Sequence, residues 1–349
     1  MSVMKTKKLN KTVKTNLITY GIAFAAFAAA QLMIATGSMS SLMKGLLVPL
    51  CTYAILAVSL NLTVGILGEL SLGHAGFMCI GAFSSAFFSV CTADKIGSDI
   101  VRFMLAILIG AISAGILGLL IGIPVLRLRG DYLAIVTLAF GEIIKNIINA
   151  LYVGKDSNGF HFSFKDTTSL NMEVDGKVII NGAQGISGTP NDSTFLIGFI
   201  LLIITLIIVL NMIHSRTGRA VMAIRDNRIA AESIGINVTK YKLLAFAVSA
   251  ALAGVAGVLY AHNLSTLTKN FGYNMSIMIL VFVVLGGIGN MWGSMVAAVI
   301  LTLLPELLRG LNDYRMLIYA IVLIVMMLFN WSPKAKELRS RLPGTTPMG

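Results

Sequence analysis

Long apolar runs separated by short polar or charged segments set the pattern of this chain. Runs of about 20 uncharged residues are long enough for a helix to cross a hydrocarbon core, and they recur from Leu17 to Trp331. They place spans over 17–35, 45–65, 74–91, 103–124, 195–212 and 243–261, and a further span over 132–152 contains Glu142 and Lys145. The uncharged stretch 270–305 is too long for one span and is cut by GGIGNMWGS at Gly286–Ser294, so it predicts two helices. A last span covers 316–331. The expected fold is all-α, a polytopic membrane helix bundle with about ten transmembrane helices. A basic segment 1–16 precedes the transmembrane domain 17–331, and a basic tail 332–349 follows it.

One segment breaks the pattern. Residues 214–242, HSRTGRAVMAIRDNRIAAESIGINVTKYK, are polar, basic and compatible with a helix, yet apolar runs flank them on both sides. Val221, Ile224, Ala231 and Ile234 recur at helical spacing, which predicts that they share one side of a helix, with Arg219, Arg225, Asp226 and Arg228 around the rest. Gly235 supplies a stop. A helix too short and too charged to span lies at the membrane surface or docks in a protein groove. The pattern alone leaves both open.

Composition agrees with the membrane class: 349 residues, 56% hydrophobic and 12% charged. A net charge of +12 suggests nucleic acid at first sight. The basic residues, however, gather in alternate connecting segments: Lys5, Lys7, Lys8, Lys11 and Lys14, then Arg127 and Arg129, then the 214–242 loop, then Lys334, Lys336, Arg339 and Arg341. That distribution is the positive-inside rule, with both termini and the loop in the cytoplasm, and no nucleic-acid partner is needed. The lysine-rich start also has the form of a cleavable signal peptide. Its uncharged run extends to Met43, which favours a retained first span.

The longest outside segment, Val153–Thr194, is acidic and rich in Gly and Asn, and long enough to carry a small structured lid or docking surface. Cys51, Cys79 and Cys91 show no metal or redox spacing, so no metal site is expected. Two groups of polar residues are pathway candidates. Glu69 and His74 lie in LNLTVGILGELSLGHAGF, where Gly65, Gly68, Gly73 and Gly76 allow close helix contact or an unwound segment; the alternative is a cytoplasmic turn. Glu142 and Lys145 form an intramembrane pair three residues apart, which could serve an ion-coupled carrier or neutralise itself. GGIGN lacks the strand and βαβ unit of a dinucleotide loop.

The loop resembles the coupling motif of ABC-importer permeases, Glu-Ala-Ala, three residues, then Gly. Here Ile229 replaces the Glu, Ala230, Ala231 and Gly235 match, and the terminal Leu-Pro of the fullest form is absent. With LNLTVGILGELSLGHAGF, LRLRGDYLAIVTLAFGEIIKNI from Leu126, the 215–246 segment and LGGIGNMWGS from Leu285, the chain resembles the branched-chain amino acid permease family, nearest to its LivM-type subunit. The resemblance implies a non-enzymatic subunit of a bacterial inner-membrane importer for leucine, isoleucine and valine. It equally admits urea, short amides or other amino acids handled by the same mechanism. It implies a second, homologous permease, two cytoplasmic ATPases and an external binding protein facing Asn181–Gly188, all in a lipid membrane. ATP is then used by the partners, and this chain, which has no GxxxxGK[ST] loop, needs no cofactor. Arg225, Asp226, Ala230, Ala231 and Gly235 are the coupling residues so implied.

Overall fold

The computed structural model describes residues 40–308, apart from 94–95, 129, 157–158, 173–175 and 269–270, together with scattered positions in 21–36 and 314–328. The expected spans 17–35 and 316–331 lie, apart from those positions, outside the described residues, as do the two basic ends. Two compact units divide the chain, 1–47 with 316–349, and 48–315.

Six helices among the described residues are long and apolar enough to cross a membrane. They are α1 (Ser41–Asn61, continued by a π-helix Leu62–Leu67), α2 (His74–Thr92), α3 (Asp99–Val125), α4 (Asp131–Ala150), α5 (Phe195–His214) and α8 (Val238–Ala261). Two short helices follow α5: α6 (Arg216–Asp226) and α7 (Arg228–Ser233). The 270–305 stretch forms α9 (Tyr273–Gly286, 14 residues) and α10 (Met291–Leu307, 17 residues). The split at the glycine cluster is as expected. Neither piece reaches the length of the six spans, because the break at Gly287–Asn290 falls in the middle of the apolar stretch.

In lipid, apolar side chains gain little by leaving their surroundings, so helices associate by close van der Waals packing through small residues. The core of the bundle is built this way. On α3, Gly110, Ala114 and Gly118 form a stripe of small residues facing α8. A Cβ added to Gly118 would come within 2.5 Å of Ala250 Cβ, and one added to Gly254 within 2.5 Å of Ala114 Cβ. The other face of α3 carries Ile100, Met104, Leu108, Ile112, Ile116, Leu119 and Ile123, all exposed. The large residues face out and the small ones in, which suits lipid and not water.

The long segment between α4 and α5 departs from a purely helical plan. Five short strands form one antiparallel sheet in the order β2-β1-β3-β4-β5: β1 (Tyr152–Asp156), β2 (Gly159–Ser163), β3 (Lys177–Asn181), β4 (Ile186–Ser187) and β5 (Thr266–Leu267). Val153, Ile179, Ile180, Ile186 and Leu267 are its buried hydrophobic residues. Since β5 comes from the α8–α9 connection, the sheet fastens two loops that are distant in sequence.

Candidate functional site

The 214–242 segment is not one helix. Ser215 caps α6 by accepting the Gly218 amide at 3.2 Å. At Asn227 the backbone turns extended (φ −154°, ψ 103°), and the Asn227 side-chain oxygen accepts the Ala230 amide at 3.0 Å to start α7. Such a cap is worth about 1 kcal/mol, and a six-residue helix depends on it because isolated short helices do not persist. Arg228 and Glu232 add an ion pair one turn apart at 2.9 Å.

The end of α7 explains the spacing of the motif. The Ile236 amide donates to the Ala231 carbonyl and the Gly235 amide to the Glu232 carbonyl, both at 3.0 Å. This double closure is a Schellman turn, which needs a left-handed residue at the position Gly235 occupies, and Gly235 has φ 84°. Ala231, only 2% exposed, packs with Ile224 and Val238, and Ile236 and Tyr241 close over them. Gly235 is therefore required by the turn itself, and a small residue at 231 by the packing beneath it.

Breaking the helix at Asn227 also changes which residues face out. Val221, Ile224 and Ala231 are buried as the periodicity predicts, but Ile234 is 75% exposed. The single helical period does not carry across the extended residue. Ile229, 80% exposed, and Ala230 are exposed too, so α7 presents Ile229, Ala230 and Ile234 outward.

Arg225 turns inward. Its Nη1 donates to the Gly65 carbonyl at 3.0 Å, while Nε and Nη2 hold Asp226 Oδ1 at 3.1 and 3.0 Å. Gly65 lies in the π-helix, whose residues are all buried. Glu69, just beyond it, pairs with Lys242 at the start of α8, and both side chains are largely buried. Glu69 therefore belongs to the end of the bundle that carries the 214–242 segment. His74 is buried with Nε2 2.7 Å from the Ser59 hydroxyl.

Glu142 and Lys145 form an ion pair on α4. Glu142 has a second task, accepting the Tyr273 amide at 2.7 Å and so closing the first turn of α9. Among the described residues no group of three His, Cys, Asp or Glu could hold a metal ion.

Asn61 was not a sequence candidate, yet it joins the two glycine-rich regions. Its side-chain oxygen accepts the Gly289 amide at 2.8 Å and its amide donates to Ser294 Oγ at 2.8 Å. Gly65 packs directly on Gly289, where an added Cβ would come within 2.6 Å of Gly289 Cα. An asparagine inside an apolar run was the available signal, since a buried amide needs partners.

Membrane-length helices packed through glycine, with a capped polar element held between two of them, define a polytopic membrane protein. The family model described as branched-chain amino acid transport system, permease component, matches residues 42–328, and the chain belongs to that family. It is 34% identical over 305 residues to the high-affinity branched-chain amino acid transport system permease protein LivM of Salmonella typhimurium, and equally to that of Escherichia coli, covering 84% of this chain and 68% of each relative. The LivH permease of Salmonella typhimurium is 23% identical over 287 residues, 79% of this chain and 89% of LivH. A nucleoside ABC transporter permease, NupC of Lactococcus lactis, is 27% identical over 208 residues, 57% of this chain and 60% of NupC. No solved structure matches.

Proposed function

We propose that this chain is one of two homologous permease subunits of an ATP-driven importer in the bacterial inner membrane, and that it carries branched-chain amino acids. The observation that carries this reading is the α7 surface: an apolar patch of Ile229, Ala230 and Ile234 on a short helix capped at both ends. Exposed, rigid apolar side chains fit an amphipathic element laid into a protein groove, and the groove belongs to a cytoplasmic ATPase. ATP-driven closure of two such ATPases moves the element and switches the pathway between outward and inward opening. The external sheet and its Asn181–Gly188 turn face a substrate-binding protein, and both chain termini are cytoplasmic. The chain itself uses no cofactor.

Likeness to the LivM and LivH permeases supports leucine, isoleucine and valine as substrates. A second reading, another small solute moved by the same machinery, is favoured by the likeness to a nucleoside permease. An ion-coupled carrier is disfavoured because Glu142 is committed to Lys145 and the Tyr273 amide.

Uptake of labelled leucine, isoleucine and valine, in cells whose partner ATPase carries a disabled phosphate loop, tests the mechanism. Accumulation is expected to stop. Continued accumulation contradicts the reading, as does abolition by Glu142→Gln with the ATPase intact and still bound.

A further inference from the structure

The coupling element touches the membrane bundle at a specific place. The end of α1 is a π-helix, a rare form that appears mostly as a single turn and often at functional sites. All of Leu62–Leu67 is buried, and Gly68 follows in a left-handed conformation, φ 77°. Three neighbours converge here. Ser249 of α8 donates to the Ser59 carbonyl at 2.6 Å. Gly289, in the α9–α10 break, donates to Asn61 Oδ1 and packs on Gly65. Arg225 of α6 donates to the Gly65 carbonyl.

The last contact is the one with a charged donor reaching out of the coupling element. Asp226 takes Nε and Nη2 of Arg225, which fixes the plane of the guanidinium and points Nη1 at the Gly65 oxygen. The aliphatic stem of Arg225 lies over Gly68, where an added Cβ would come within 2.5 Å of Arg225 Cγ. Glycine is thus matched to arginine twice, once by the hydrogen bond to the Gly65 carbonyl and once by the missing side chain of Gly68. A charge-assisted hydrogen bond resists displacement more than a neutral one.

We propose that Arg225 is a positioning residue that links α6 to the π-helix, so that displacement of the coupling element is delivered to the Asn61–Gly289 junction. Asp226 is its orienting partner. Neither belongs to the docking face, which is Ile229, Ala230 and Ile234. The chain of contacts runs from Arg225 to Gly65, from Gly65 to Gly289 by packing, and from Asn61 to Gly289 and Ser294 by hydrogen bonds. It joins the coupling element to the break between α9 and α10 without passing through the long axis of any span.

This proposal rests on the coupling reading, and the two fail differently. The chain is co-expressed with its ATPases, second permease and binding protein, and three quantities are measured: ATPase recovered per chain, ATP hydrolysed, and amino acid transported. With Arg225→Ala the ATPase recovered per chain stays at the wild-type ratio while amino acid transported per ATP falls about tenfold or more, the range for a lost hydrogen bond to a charged group. Arg225→Lys, which keeps one donor but cannot make the fork to Asp226, gives an intermediate ratio. An Arg225→Ala complex that transports as many molecules per ATP as wild type overturns the link. So does loss of the ATPase from that complex, which would put Arg225 on the docking face, and so do equal ratios in the Ala and Lys variants. Failure of the wild-type chain to recover any ATPase overturns the coupling reading instead.

Discussion

The chain leaves its membrane helices at two polar excursions, and they are fastened in different ways. At the C-terminal end of α5, α6 and α7 hold to the bundle by side chains: Arg225 on Gly65, and Lys242 beside them on Glu69. At the other end of α5, the excursion is held by backbone pairing within a five-stranded sheet, and one ion pair, Arg102 with Asp192 at 3.1 Å, ties its last part to α3. Arg102 has a second carboxylate, Asp99, at 2.8 Å, whereas Lys242 has Glu69 alone among the ion pairs of the described residues. A sheet shares its load over many hydrogen bonds. Side-chain ties are few and specific.

That contrast can be broken first at Lys242. Lys242→Met leaves Glu69 buried without its cation, at a cost of about 3–5 kcal/mol, and thermal unfolding in detergent should show a large loss of stability. Adding Glu69→Gln should recover part of it, and no recovery would mean the pair is not the tie. Next comes Gly235→Val. A Cβ at Gly235 meets nothing within 4 Å, so the penalty is conformational and not steric crowding. Forcing a β-branched residue to φ 84° costs about 1–2 kcal/mol. The Schellman turn opens and ATPase recovery falls, whereas Gly235→Asn, which tolerates the left-handed region, should retain most of it; an equal loss in both variants would assign the defect to something other than backbone strain. The smallest effect belongs to the sheet end: Asp192→Asn should cost about 1 kcal/mol, because Asp99 remains with Arg102. A loss as large as that of Lys242→Met would remove the distinction between the two ends.

Sequence reasoning was strong where one physical rule dominated. Apolar runs located α2, α4, which carries the Glu142–Lys145 pair, α5 and both pieces of the 270–305 stretch within a few residues, because no other force competes with the need to pair backbone groups in lipid. It failed where a single residue changed the frame. Asn227 caps α7 from an extended conformation, and a periodicity drawn through it puts Ile234 on the buried side. The sheet was illegible for a different reason: its strands are two to five residues long, and β5 lies far along the chain from β4. Ala230, Ala231 and Gly235 were readable as a motif, but their division of labour was not. Ala231 and Gly235 build the turn, Ala230 stands on the exposed face with Ile229 and Ile234, and Arg225 faces the bundle. Charge alone made Arg225 resemble a surface residue, since nothing in the sequence pairs it with a carbonyl 160 positions away.

The docking face itself is tested most directly by a photoreactive amino acid at position 234, compared with one at buried position 231, in the assembled complex with its ATPases. Cross-linking to the ATPase from position 234 and none from position 231 is the expected result. An absence of cross-links from 234, with the complex intact and transporting, would contradict the assignment of the Ile229–Ala230–Ile234 face to ATPase docking.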